Sequence, residues 1–335
     1  MEKPFRILSI DGGGIRGIIP AKVLAELEAQ LKTNGSNKAI YEHFDLICGT
    51  STGALLAIGL ALGIPAQDLL NFYKTNARVI FPTRVLKLLP QKSRMFFTSV
   101  YGNKAFRNKL IEVYSSANHG VAPLLNDLKT RVCIPVFNGG TGKINVLKTK
   151  HHPDYSRDYK LPAHEVALSS ASAPVYFPPH SFSYTNIFGS GNNVSMIDGG
   201  VFANNPVLVG VLEAHEKLNV PFNKIQVISL GTGQGSHIIK NSWKTPSIWY
   251  WLLSKPRLLD IILDSQAQIT EQYLLFLKRG LESANNGFDY LRIQYDFGGS
   301  FIDLSSSKRN DLDRLEAIGG ELAKIHLKEL VTKLF

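Results

Sequence analysis

Ser51 stands in Gly49-Thr50-Ser51-Thr52-Gly53, a G-x-S-x-G string whose outer positions carry no side chain. A serine nucleophile has to project from a cramped turn between a strand and a helix, and glycines two positions away on either side let the two elements approach. The apolar run Phe44–Cys48 leads into the string and the small-residue run from Ala54 leads out of it, which is that arrangement. A helix N-terminus at Ser51 also favours the negative charge that develops in acyl transfer. The competing reading, an ordinary glycine–serine turn in a chain with 28 glycines, does not account for the flanking strand and helix.

A serine hydroxyl needs a base. Of the histidines late in the chain, His215 and His326 fall among charged residues of amphipathic runs and read as solvated surface groups, whereas His237 follows a strand and a glycine loop and stays open. The alternative is Asp198, in "VSMIDGGVFANNP", a carboxylate at the end of an apolar strand followed by Gly199 and Gly200. An aspartate there can simply cap a turn. Partly desolvated and bonded to a hydroxyl, it can instead act as the base directly, because burial raises its proton affinity.

"SIDGGGIRG", residues 9–17, contains the glycine spacing of a dinucleotide-binding turn. That motif also needs an acidic residue at the end of the next strand to hold a ribose. Here the next strand runs into the serine turn with no carboxylate between Asp45 and Ser51, and Asp11 would face a pyrophosphate with like charge. The glycines are therefore free to present N–H groups to something other than a cofactor.

These residues depend on elements that alternate. Strands are expected at Phe5–Ile10, 44–48, 131–137, 143–148, 194–198, 225–231 and 288–295, with helices after the two glycine turns, over 206–218 and from Asp311 to Leu334. The stretch from Ser247 to Leu281 reads as helices broken at Pro256, and 186–193 as a polar glycine loop. Alternating strands and helices point to a largely parallel sheet covered on both faces. No linker or repeat is visible, so one domain over residues 1–335 is expected, with a basic and aromatic insertion near 78–110 and a helical C-terminal part near 246–335.

"DGGGIRG", "GTSTG" and "DGG", in this order, resemble the patatin-like phospholipases, lipid acyl hydrolases with a serine–aspartate dyad. The similarity continues in "SSASAPVYFPP", "VISLGTG" and the segment from Ile302, so it spans nearly the whole chain. The resemblance implies a three-layer α/β/α sandwich with a central, mostly parallel sheet. It implies Ser51 as nucleophile, Asp198 as general base and acid, and Gly12, Gly13 and Gly14 as an oxyanion loop supported by Arg16, with no cofactor or metal. It also implies a phospholipid substrate. The chain is similar, too, to compact bacterial patatin-like effectors of anti-phage signalling, whose activator is a cyclic nucleotide; no residue reads as a nucleotide site. A non-catalytic lipid- or nucleotide-binding protein on the same fold is disfavoured because every chemical residue is present.

The formal charge of +10 is unevenly distributed. Between Asp68 and Glu112 there is no acidic residue, while nine lysines and arginines fall inside. Arg78, Phe81, Arg84, Lys87, Lys92, Arg94, Phe96 and Phe97 mix charge with aromatic rings, as a surface meeting anionic headgroups would. A solvated basic loop is the plainer reading. Trp243, Trp249 and Trp251 suit an interfacial anchor, with core packing of a helix the plainer reading. No nucleic-acid motif accompanies the charge, so no nucleic-acid partner is expected. Cys48 and Cys133 sit in apolar strands as reduced core thiols. With no signal sequence and no apolar run of the roughly 20 residues a membrane span needs, a cytoplasmic protein that meets membranes peripherally is expected.

Overall fold

The computed structural model describes residues 3–82, 101–185, 191–235, 257–298 and 302–335. Eight strands form one sheet: β1 (Phe5–Ile10), β2 (Leu46–Gly49), β3 (Arg131–Asn138), β4 (Lys143–Lys148), β5 (His180–Thr185), β6 (Gly191–Asp198), β7 (Ile225–Leu230) and β8 (Asp289–Ile293). The parallel part runs β3-β2-β1-β7-β8; β4 pairs antiparallel along the outer edge of β3, and β6, with β5 beside it, pairs antiparallel with the C-terminal end of β3.

Period-two alternation splits the core. Leu8, Ile10, Ile47, Val132 and Ile134 face one side, where they meet helices α1 (Ile18–Thr33), α2 (Thr52–Ala61), α3 (Ala66–Ile80), α4 (Lys104–Ser116) and α5 (Ala163–Ala171). Ile7, Leu46, Cys48, Cys133 and Val227 face the other. There they meet a short helical turn α6 (Gly200–Ala203), α7 (Val207–Leu212) and α8 (Arg257–Ser283). The last helix, α9 (Arg309–Leu334), packs along α1 on the first face. This is the expected three-layer α/β/α architecture, with both cysteines buried and reduced.

Two elements differ from expectation. β5 pairs antiparallel with β6, and Asn192 and Asn193, read as loop, belong to β6. The run 206–218 is helical, but its second half, Glu213–Lys217, widens into a π-turn. The segment before Pro256, with Trp243, Trp249 and Trp251, lies outside the described residues, as do His237, Arg84, Lys87, Lys92, Arg94, Phe96 and Phe97.

Candidate active site

β2 ends at Gly49, α2 begins at Thr52, and Ser51 sits between them at φ 55°, ψ −121°. Positive φ is costly for a residue with a Cβ, on the order of 1–3 kcal/mol, and persists only where the surroundings impose it. Here they do. A Cβ on Gly49 would stand 2.1 Å from the Gly53 carbonyl oxygen, and one on Gly53 would stand 2.2 Å from that of Ile10. Strand and helix thus touch backbone to backbone, and Ser51 is lifted out of the turn.

Register brings Asp198 to Ser51. β2 pairs with β3 as Leu46 with Arg131 through Cys48 with Cys133. The same register carried past Gly49 sets Ser51 level with Val136, whose antiparallel partner is Asp198. The Ser51 side chain lies beside the Asp198 carboxylate, and the Gly200 N–H donates to Asp198 Oδ1 at 2.7 Å. Burial raises the Asp198 pKa to about 7, against the Ser51 hydroxyl and the Gly200 N–H, which lower it. Gly199 lies against β3, where a Cβ would stand 2.2 Å from the Pro135 carbonyl oxygen.

The glycine loop follows β1. Gly14, at φ 56°, opens a 3₁₀ turn over Gly14–Gly17, so the first N–H groups of that turn have no acceptor within it. Gly13 and Gly14 line the same cavity as Ser51 and Asp198. Gly12 does not: its N–H is donated to the Asn204 carbonyl at 2.9 Å, so of the expected oxyanion loop only Gly13 and Gly14 border the cavity. The Thr52 N–H, first in α2 and next to the nucleophile, is a further first-turn donor at the cavity. Arg16 is buried behind the loop, where its guanidinium donates to the carbonyls of Gly13 (3.4 Å) and Gly233 (3.1 Å). It therefore braces the loop from the side away from the substrate.

About 550 Å³ of space, part of it open to solvent, extends from Ser51 between apolar side chains that include Leu55, Ile80, Phe106, Phe177 and Leu304. Phe81 belongs to this wall, and the expectation that it contacts membrane is corrected. Its ring is buried against Tyr101 and Phe177, with centroids 5.7 and 5.9 Å away. Arg78, one turn earlier, is exposed. The sequence reading missed Asn204, whose backbone holds Gly12 and whose buried Oδ1, without a hydrogen-bond partner, borders the cavity. The paired asparagines after "DGGVFA" were the available signal.

Among the described residues no histidine lines the cavity. His215 donates its Nδ1–H to the Val220 carbonyl at 3.0 Å and stacks on Phe222. Among the described residues one set of metal-type side chains lies on the opposite face, with ligand atoms of Cys133, His151 and Glu213 within 4.8 Å of one another. Its Glu213 carboxylate also accepts from Lys148 at 2.5 Å and from Tyr155, and meets His151 at 3.0 Å. No described helix is long and apolar enough to cross a membrane.

The chain is similar to several known proteins. A cGAMP-activated phospholipase of Escherichia coli (strain TW11681) is 30% identical over 98% of this chain and 92% of its own length. Patatin-like protein 1 of Arabidopsis thaliana is 31% identical over 94% of this chain and 80% of its own. Among solved structures, VipD from Legionella pneumophila aligns over 98% of this chain and 67% of its own at 13% identity, with a TM-score of 0.45. The family described as "Patatin-like phospholipase" matches residues 8–211, a span that contains the glycine loop, Ser51 and Asp198, and the chain belongs to that family.

Proposed function

We propose that this esterase cleaves a fatty-acyl ester of a membrane glycerophospholipid, with Ser51 as nucleophile and Asp198 as general base and acid. The Ser51 side chain beside the buried Asp198 carboxylate, both lining one apolar cavity, carries the reading. Ser51 Oγ attacks the ester carbonyl carbon as its proton passes to Asp198. The carbonyl oxygen becomes negative, and the N–H groups of Gly13 and Gly14 stabilise it; one such donor typically contributes about 10²–10³ in rate. Collapse expels the alcohol, which takes the proton from Asp198 and leaves an acyl-enzyme. A water then attacks the acyl carbon, gives its proton to Asp198, and Ser51 is regenerated as that proton returns. A base with a pKa of about 7 is matched to this double duty near neutral pH.

In this reading the acyl chain enters the apolar cavity lined by Phe81 and Phe177, and the headgroup remains at the surface, where the enzyme meets the cytoplasmic face of a membrane peripherally. Fatty-acid release from defined phosphatidylcholine and phosphatidylglycerol vesicles, read by mass spectrometry, tests this. Wild-type protein should release fatty acid, and Ser51→Ala and Asp198→Asn should not; undiminished release by Ser51→Ala contradicts it. Similarity to a phospholipase described as cGAMP-activated favours a second layer, control by a cyclic nucleotide. The same assay with and without cyclic GMP–AMP decides it: activation supports that control, and equal rates reject it.

A further inference from the structure

"SSASAP", residues 169–174, has no role in the chemistry above, yet it ends helix α5 where two strands meet. Cys133 pairs with β2 and with β4, so those strands lie on opposite edges of β3. Val136 to Asn138 pair with β4 and with β6, so β6 also lies opposite β4. β2 and β6 therefore share one edge of β3 and run toward each other, and their C-terminal ends meet beside Ile134 and Pro135. A gap in the ladder results. Proline suits it, having no N–H to leave unpaired, but its carbonyl still needs a donor.

Ser170 fills the gap. Its hydroxyl donates to the Pro135 carbonyl at 2.8 Å and accepts the Ser51 N–H at 2.9 Å. Two residues on, the Ser172 carbonyl accepts the Asp198 N–H at 3.1 Å. One helix end thus holds the backbone of the nucleophile through a side chain and the backbone of the base through a carbonyl.

We propose that Ser170 is a positioning residue for hydrolysis: its hydroxyl stands in for the missing ladder bond between β2 and β6 and holds Ser51 in register with Asp198. This rests on the reading of Ser51 and Asp198 as the dyad. Ser170 lies outside the cavity lining, so its loss leaves substrate binding intact. A misplacement of about 1 Å at a reacting group can cost on the order of 10²-fold in rate.

The experiment compares Ser170→Ala with Ser169→Ala on a soluble p-nitrophenyl ester. Ser169 is buried on the same helix, and its hydroxyl only donates back to the Glu165 carbonyl at 2.7 Å. Ser170→Ala should lower kcat about 10- to 100-fold with KM within about twofold, while Ser169→Ala keeps the wild-type kcat. Equal kcat losses in the two variants, or a kcat for Ser170→Ala within about twofold of wild type, overturn the proposal. If Ser170→Ala does not fold, Ser170→Cys, with a weaker donor and acceptor, gives the same comparison: kcat below Ser169→Ala supports the role and equality rejects it. Ser51→Ala in the same series separates the two claims. Activity in that variant sinks the dyad, whereas an inactive Ser51→Ala beside a fully active Ser170→Ala sinks only the role of Ser170.

Discussion

Asp198 titrates between two states with opposite consequences for catalysis and stability. Its pKa of about 7 in the folded protein, against an ordinary 3.8, means that the folded chain holds a proton the unfolded chain releases between those values. Its contribution to stability is therefore fully present at acid pH and is lost as pH rises through about 7. A shift of this size corresponds to about 4 kcal/mol at most. Asp198→Asn, which cannot ionise, should raise the melting temperature relative to wild type most at pH 8, less at pH 5, and little below about pH 4, while kcat falls by about 10²–10⁴. Wild-type kcat/KM should climb with pH to a plateau above about 7. A flat profile from pH 5 to 9 would remove Asp198 as the base. Ser51 and Asp198 were legible because their neighbours are glycines imposed by backbone contact. Gly12 and Phe81 were not, since only tertiary structure commits the Gly12 N–H to Asn204 and folds the Phe81 ring onto Phe177.

The serine turn is as demanding of its elements as of its residues. Gly49→Ala and Gly53→Ala each place a methyl about 2 Å from a backbone oxygen that cannot move without parting β2 from α2 or β1. Each should cost about 3 kcal/mol or more, read as a lower denaturant midpoint. Gly280, exposed inside α8 with nothing near its would-be Cβ, is the contrasting case. Gly280→Ala should stabilise by about 1 kcal/mol through helix propensity. At this scale the parallel strands were readable from their continuous apolar runs. β5 escaped because "HSFSYT" alternates polar and aromatic residues and takes its strand identity from pairing with β6. The meeting of β2 and β6 end to end on β3 is a property of pairing between distant segments, and no local pattern encodes it.

Across the whole molecule, the basic segment is less uniform than its composition. Lys74 is paired with Glu316, Arg107 with Glu165 and Lys109 with Glu112, all acids supplied from beyond the segment. Arg78 stays exposed at the end of α3, on the edge of the element that also brings Phe81 to the cavity. A surface with net positive charge should bind phosphatidylglycerol vesicles in low salt and release them at about 0.5 M salt, each exposed basic residue near the surface contributing about 1 kcal/mol. Equal sedimentation with neutral phosphatidylcholine vesicles would assign membrane contact to apolar groups instead.

The proposed dyad of Ser51 and Asp198 is tested most directly at Ser51. A fluorophosphonate probe should add once per chain to the wild-type protein, on the peptide that contains Ser51, and the labelled enzyme should be inactive. Ser51→Ala should take up no probe and hydrolyse no ester; labelling at another residue, or hydrolysis by Ser51→Ala at the wild-type rate, would contradict the assignment.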